Sequence, residues 1–200
     1  MINIENIENM EVKNDFKRKL ENSVRVNLKP GDLFIAEEPM VIKTLLGSCV
    51  SVVMHNSRTK VSTISHAQLP SDRSKAECPA NCPVQCFRDS PSENMFKYVT
   101  HSSKYMLKRL ETMGIKRNEI EVKLFGGANV LNVGREKKTV GTENIEKAHE
   151  ILKSLNLRVK GEDTGGKQGR TIYLVSKTGD VYVRKHVKSS SKKEIKVKGS

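Results

Sequence analysis

Short apolar runs rich in Val, Ile and Leu recur along the chain, and their length and composition predict β-strands. They lie at 31–42, 50–54, 60–69, 121–125 and 157–160. The runs at 50–54 and 60–69 flank the polar stretch 55–59, which indicates a hairpin. A second hairpin is predicted around Thr178–Gly179, near the end of the chain.

Two longer segments have apolar residues at helical spacing. The first covers 93–113 and is predicted to end at Gly114. The second is predicted to begin after Thr142 as N-cap, with Ile145 and Leu152 on its apolar face. Because helices and strands alternate, the predicted fold class is α/β, a single-domain layered sandwich in which a mixed β-sheet packs with helices.

Composition changes this picture mainly at the two ends of the chain. The formal net charge is +13, and residues 184–200 contribute seven Lys or Arg against one Glu. We therefore predict a folded domain over 29–187, a mobile basic tail over 188–200 and a poorly ordered, polar segment over 1–28.

Hydropathy argues against a membrane protein, because no apolar run approaches the ~20 residues that a span requires. The polar N-terminus lacks the apolar region of a signal peptide, so the expected location is the cytoplasm. The basic tail is of a kind that binds nucleic acid or acidic lipid. The rest of the chain carries no nucleic-acid-binding motif, and a solvated, non-specific tail is predicted.

The predicted first hairpin brings together a thiol and an imidazole. With a two-residue turn at Ser57–Arg58, Met54 lies opposite Val61, and Cys49 lies opposite His66. A cysteine beside a histidine is suited to nucleophilic catalysis, because the imidazole accepts the thiol proton and later returns it. The alternative is that Cys49 is a small core residue and His66 a hydrogen-bonded core histidine.

The spacing alone favours the core alternative, although the residues before Cys49 are suited to catalysis. Gly47 allows a tight backbone turn, so that the amides of Ser48 and Cys49 can face a developing oxyanion.

Three further cysteines, Cys78, Cys82 and Cys86, occur at intervals of four in a proline-containing loop. One alternative is a metal site with His101 as a fourth ligand, although the spacing matches no common zinc or iron–sulfur site. The others are reduced thiols and a disulfide formed by adventitious oxidation. Reduced thiols are the favoured interpretation, and no metal site is predicted.

Several segments together resemble the chemoreceptor glutamine deamidases of the CheD family. TLLGSCVSVV at 44–53 is followed by SHAQLP, whose histidine comes 17 residues after Cys49. KLFGGANVLNVG resembles the family's glycine-glycine-alanine segment, and VGTENIEKAHEILKSLNLRV resembles the helix and strand that follow it. GEDTGGKQGRTIYLVSKTGDVYVRK resembles the closing loop and hairpin. The resemblance spans residues 30–186.

The resemblance implies a cysteine hydrolase that converts glutamine side chains of methyl-accepting chemotaxis receptors to glutamate and releases ammonia, with no metal or organic cofactor. When the catalytic residues of the family are matched to this sequence, Cys49 is the nucleophile and His66 is the general base and acid. The family has a threonine six residues before the cysteine. Here Lys43 holds that position, and Thr44, one residue later, is the candidate for orienting the histidine. Its alternative is an ordinary strand threonine.

Two further expectations concern the end of the domain, from the tight glycine turn at 165–166, and a partner, from the resemblance. Asp163 and Thr164 are candidates for lining the site, the alternative being a loop-capping role. The family also docks onto CheC-type phosphatases of the response regulator. A regulatory binding module is therefore the alternative to an enzyme.

Overall fold

The computed structural model describes residues 2–3, 14, 17–18, 23–71, 95–129 and 138–186. The strands are β1 (Ile2–Asn3), β2 (Val24–Asn27), β3 (Leu33–Ala36), β4 (Met40–Leu46), β5 (Val50–Asn56), β6 (Ser62–Ser65), β7 (Ile120–Gly126), β8 (Val159–Thr164), β9 (Arg170–Val175) and β10 (Asp180–Lys185). The helices are α1 (Val99–Thr112) and α2 (Val140–Ser154), with 3₁₀ turns at Met95–Lys97 and Arg117–Glu119.

The strands form two mixed sheets. The central sheet has the order β3-β6-β5-β7-β8, and the outer sheet has the order β1-β10-β9-β4-β2. Parallel pairs occur at β7–β8, β1–β10 and β2–β4, and the remaining neighbours are antiparallel. The predicted α/β layered fold with mixed pairing is confirmed, with two sheets in place of one.

The central sheet is buried on both faces because helices cover one face and the outer sheet covers the other. Val52 and Met54 of β5 pack toward Leu110 of α1 and Leu152 of α2. Val53, between them in sequence, belongs to the second core, which lies between the two sheets. Every residue of β5 is buried, so its sequence lacks the strict apolar–polar alternation of a strand with one solvated face.

The helices follow the predicted pattern with shifted ends. Helix α1 ends before Gly114, whose φ of 75° is the left-handed conformation that commonly terminates helices. Helix α2 begins at Val140, because Thr139 and not Thr142 is the N-cap; the Thr139 hydroxyl accepts a hydrogen bond from the Thr142 amide. None of the helices in the described ranges is long and apolar enough to cross a membrane.

Residues 161–169, which begin the segment that resembles the closing loop and hairpin of the family, are in part a strand. Strand β8 runs through 161–164 and pairs in parallel with β7, with Asp163 beside Phe125 and Thr164 beside Gly126. Strands β1 and β2 lie within 1–28, the segment predicted to be poorly ordered. Most of that segment and all of the predicted tail lie outside the described residues, so both expectations stay predictions.

Candidate active site

The hairpin that carries the candidate site has a different register from the predicted one. Met54 pairs with Thr63, not with Val61. The turn contains four residues, 57–60, because the Asn56 amide donates to the Val61 carbonyl at 3.0 Å and Lys60 adopts a left-handed φ of 62°. The prediction of a two-residue turn was wrong. Each residue of β5 pairs with a residue two positions further along the chain than predicted.

Cys49 and His66 are consequently diagonal neighbours rather than directly opposite. Each immediately precedes a residue of the Val50–Ala67 bridge, whose two backbone hydrogen bonds measure 2.9 and 2.8 Å. An offset of two preserves the face on which a side chain lies, whereas an offset of one reverses it. Both side chains face the interior between the sheets: Cys49 packs against that core, and His66 contacts β4 of the outer sheet.

His66 is held by a hydrogen-bond chain that fixes its tautomer. Thr44 Oγ1 lies 2.7 Å from His66 Nδ1 and donates its own proton to the Leu28 carbonyl at 2.9 Å. Because a hydroxyl has a single proton to donate, Nδ1 must carry the ring proton. The lone pair is therefore on Nε2, which is buried and has no hydrogen-bond partner among the described residues.

Burial also sets the charge of this imidazole. It lowers the pKa of His66 below the ordinary 6.5, against smaller raising effects of the Leu28 carbonyl and the Asp32 charge. At neutral pH the ring is uncharged, and Nε2 is able to accept a proton.

Cys49 is a free, partly buried thiol at the edge of the core between the two sheets. Burial raises its pKa above the ordinary 9.0, and its own backbone amide is the group that opposes the rise. At neutral pH the pair is therefore a neutral thiol and a neutral imidazole, so a thiolate forms here only when a base such as the imidazole accepts the thiol proton.

The backbone around Cys49 is fixed by the glycine-glycine segment after β7. The Gly127 amide donates to the Cys49 carbonyl and the Ala128 amide to the Gly47 carbonyl, each at 2.8 Å. Gly126 has φ of 103°, and a Cβ there would lie 2.3 Å from the Cys49 carbonyl oxygen. This position requires glycine because the two backbones touch.

Asp163 and Thr164 lie beside this segment, on β8. Asp163 forms an ion pair with the buried guanidinium of Arg170, and its other oxygen lies 3.0 Å from Lys185 Nζ. Arg170 starts β9 and also donates to the Gly165 carbonyl, so these contacts join the two sheets. The role of Asp163 and Thr164 in lining the site stays a prediction.

Sequence reasoning missed three residues that support this arrangement. Leu28 supplies the carbonyl at the end of the His66 chain, Arg170 is a fully buried cation, and Asn144 reaches the Ser48 carbonyl from α2. Of these three residues, only Asn144 could have been found from the sequence, because it is polar yet lies on the apolar face of its helix.

The predicted loop cysteines, Cys78, Cys82 and Cys86, lie outside the described residues. Their candidate partner His101 lies on α1, with its ring centroid 5.6 Å from that of Tyr98. Reduced thiols, the interpretation that the sequence favours over a metal site and a disulfide, therefore stay a prediction.

Comparison with known proteins points to one family. A family model described as CheD chemotactic sensory transduction matches residues 82–185, a stretch that follows Thr44, Cys49 and His66. A probable chemoreceptor glutamine deamidase CheD 2 from Geobacter sulfurreducens is 34% identical over 160 residues, covering 80% of this chain and 89% of the relative.

Archaeal proteins show the same similarity. A probable chemoreceptor glutamine deamidase CheD from Methanococcus vannielii is 33% identical over 160 residues, covering 80% of this chain and 94% of its own. The protein of the same name from Thermococcus kodakarensis is 35% identical over 164 residues, covering 81% and 93%.

Proposed function

The chain belongs to the CheD family, and from this premise we propose that it deamidates glutamine side chains of methyl-accepting chemotaxis receptors, with Cys49 as nucleophile. The relatives are named for this activity. The observation that carries the mechanism is the Thr44–His66 hydrogen bond, which leaves Nε2 as a free base on the face of the hairpin that Cys49 shares.

The first half of the reaction forms a thioester. His66 Nε2 takes the Cys49 proton as the sulfur attacks the carboxamide carbon of the substrate glutamine. The amides of Ser48 and Cys49 stabilise the oxyanion, and Nε2 then returns the proton to the amide nitrogen. The carbon–nitrogen bond breaks, and ammonia leaves.

The second half regenerates the enzyme. Water attacks the thioester carbon and gives its proton to His66 Nε2. The carbon–sulfur bond then breaks, Cys49 recovers its proton, and a glutamate side chain is released. Each step uses groups of this chain and water only.

The charge of the chain suits this substrate. A protein with a formal charge of +13 is attracted to an acidic receptor rod, mainly through faster encounter. The expected cytoplasmic location follows from the substrate, because the rods of these receptors are cytoplasmic. Docking to a CheC-type phosphatase stays a prediction.

The decisive experiment is intact-mass analysis of a purified receptor cytoplasmic fragment after incubation with the protein. We expect the mass increase of amide-to-acid conversion, one ammonia per converted glutamine, and loss of both with Cys49→Ala. Cys78→Ala is the matched thiol control and should remain active. Deamidation by Cys49→Ala would refute the mechanism. No deamidation of several receptors by the wild type would refute the function and make phosphatase pull-down the next test.

A further inference from the structure

The segment Gly47–Cys49 has each of its three carbonyls held by a different donor. Ala128 N donates to Gly47, Gly127 N to Cys49, and the Asn144 side chain to Ser48. Two of these donors are backbone amides of one short segment. The third is a side chain from α2, and it is the donor that a substitution can remove.

Asn144 is completely buried and uses both protons of its carboxamide nitrogen. Nδ2 donates to the Ser48 carbonyl at 3.0 Å and to the Gln68 carbonyl at 2.9 Å. Ser48 precedes the nucleophile, and Gln68 is two residues beyond His66. One side chain therefore connects the residue before Cys49 to the segment that follows His66.

The close approach of α2 makes this reach possible. A Cβ on Gly141 would lie 2.6 Å from the Gly127 carbonyl oxygen, and one on Gly127 would lie 2.5 Å from the Ile145 side chain. The helix thus packs in backbone contact with the glycine-glycine segment. Asn144, one turn into the helix, is thereby brought to the loop.

The geometry of the peptide bond gives the Asn144 contact a catalytic consequence. The carbonyl of Ser48 and the amide of Cys49 belong to one planar trans peptide unit, in which the C=O and N–H point in opposite directions. Fixing the Ser48 oxygen therefore fixes the direction of the Cys49 N–H. Within the described residues, that N–H donates to nothing except its own sulfur.

We propose that Asn144 is a positioning residue of the deamidation reaction, which orients the Cys49 amide toward the oxyanion and holds the nucleophile in register with His66. The inference rests on the proposed function for its kinetic consequence. It has a second consequence that needs no substrate. Since the Cys49 amide opposes the rise in the thiol pKa, turning that amide away should raise the pKa further.

Asn144→Asp is the sharp test, because it keeps the size of the side chain and removes the donors. An ionised carboxylate would face two carbonyl oxygens and repel both. Asn144→Ser, which retains one donor, is the second variant should Asn144→Asp fail to fold. Asn56→Asp is the matched control: Asn56 is also buried, donates to the Glu119 carbonyl at 3.0 Å, and lies at the opposite end of β5.

Three measurements are made on each full-length variant: kcat and KM on the receptor fragment, the thermal midpoint, and the pH dependence of Cys49 alkylation by iodoacetamide, followed on the Cys49 peptide by mass spectrometry. For Asn144→Asp we expect kcat to fall by about a hundredfold with little change in KM. The alkylation midpoint should move to higher pH. Asn56→Asp should lower the thermal midpoint by a comparable amount and leave kcat and the alkylation midpoint unchanged.

Equal kcat and equal alkylation midpoints for folded Asn144→Asp and Asn56→Asp would overturn the inference and make Asn144 a purely structural residue. Absence of deamidation by the wild type would instead count against the proposed function. In that case the alkylation midpoint of Asn144→Ser, which adds no charge beside the thiol, decides about Asn144: a rise supports the positioning role, and an unchanged midpoint rejects it.

Discussion

Thr44 Oγ1 and His66 Nδ1 lie 2.7 Å apart across the interface between the two sheets. Thr44 belongs to β4 of the outer sheet, and His66 directly follows β6 of the central sheet. The onward bond from Thr44 to the Leu28 carbonyl makes the threonine oxygen an acceptor, so the proton stays on Nδ1. The threonine therefore determines which ring nitrogen has a lone pair that can accept a proton.

Replacing this hydroxyl should impair catalysis more than stability. In Thr44→Val a methyl group replaces the hydroxyl at similar shape, so Nδ1 loses its acceptor and the ring is free to change tautomer or rotate. We expect kcat for deamidation to fall by at least about tenfold, and by no more than the 10²–10⁴ that a general base contributes. Thr44→Ser should retain most of the activity. Equal activities of the Val and Ser variants would show that the hydroxyl does not orient His66.

The pH dependence of the reaction should reflect the buried imidazole. Because burial lowers the pKa of His66, the ring stays neutral at pH values where an exposed histidine is protonated. We therefore expect the acid limb of the kcat/KM profile to have its midpoint below pH 6.5. A midpoint above 6.5 would mean that His66 is stabilised as a cation and works as an ion pair with the thiolate.

The same group contributes to stability with a definite sign. Below pH 6.5 the unfolded chain binds a proton at His66 before the folded protein does, so the free energy of unfolding decreases as the pH falls. His55, whose pKa burial also lowers, acts in the same direction. Urea unfolding of the wild type and of His66→Gln, at neutral and mildly acid pH, should show a smaller acid-induced loss in the variant.

A methyl group at Gly126 should disturb the backbone at Cys49. Gly126→Ala places a Cβ 2.3 Å from the Cys49 carbonyl oxygen, so the backbone beside the thiol must move. We expect loss of most activity, together with destabilisation beyond backbone strain alone. Gly114→Ala is the matched control, with φ of 75° and open space around its Cβ. It should cost only the strain of about 1–2 kcal/mol and leave the activity per folded molecule unchanged.

The ion pair of Asp163 with Arg170 should be required for stability. Asp163→Asn leaves the guanidinium of Arg170, which is 2% exposed, without its counter-charge. We expect the free energy of unfolding to fall by about 3–5 kcal/mol. Lys185→Met removes the half-exposed partner of the same carboxylate and should cost less than about 1 kcal/mol. Similar losses in denaturant unfolding would show that the burial of Arg170 carries no such penalty.

The sequence predicted that Cys49 and His66 share a face of the hairpin, but it did not predict the register of that hairpin. The strands at 50–56 and 62–65 have clear apolar patterns, but their register depends on the turn. The Asn56 side chain accepts hydrogen bonds from the Thr59 amide and hydroxyl, and this favours a four-residue loop. Because the resulting error was an even number of residues, Cys49 and His66 stayed on one face.

The supporting residues outside the hairpin were harder to predict. Arg170 and Asp163 are seven residues apart, yet nothing local indicates that this arginine is buried. Leu28 contributes only a carbonyl, which every residue has, so its side chain carries no signal for that role. These contacts exist because the two sheets pack together, and packing of this kind is not encoded in any short stretch of sequence.

The location of Thr44 and His66 on different sheets makes the tautomer of His66 a reporter of tertiary packing. A partly unfolded state that keeps native strands but lets the sheets separate, as molten globules do, would retain its circular dichroism in the far ultraviolet and lose the fixed tautomer. Catalytic activity should therefore disappear earlier along a denaturation curve than secondary structure. Turnover would then be a more sensitive measure of the native state than spectroscopy of the backbone.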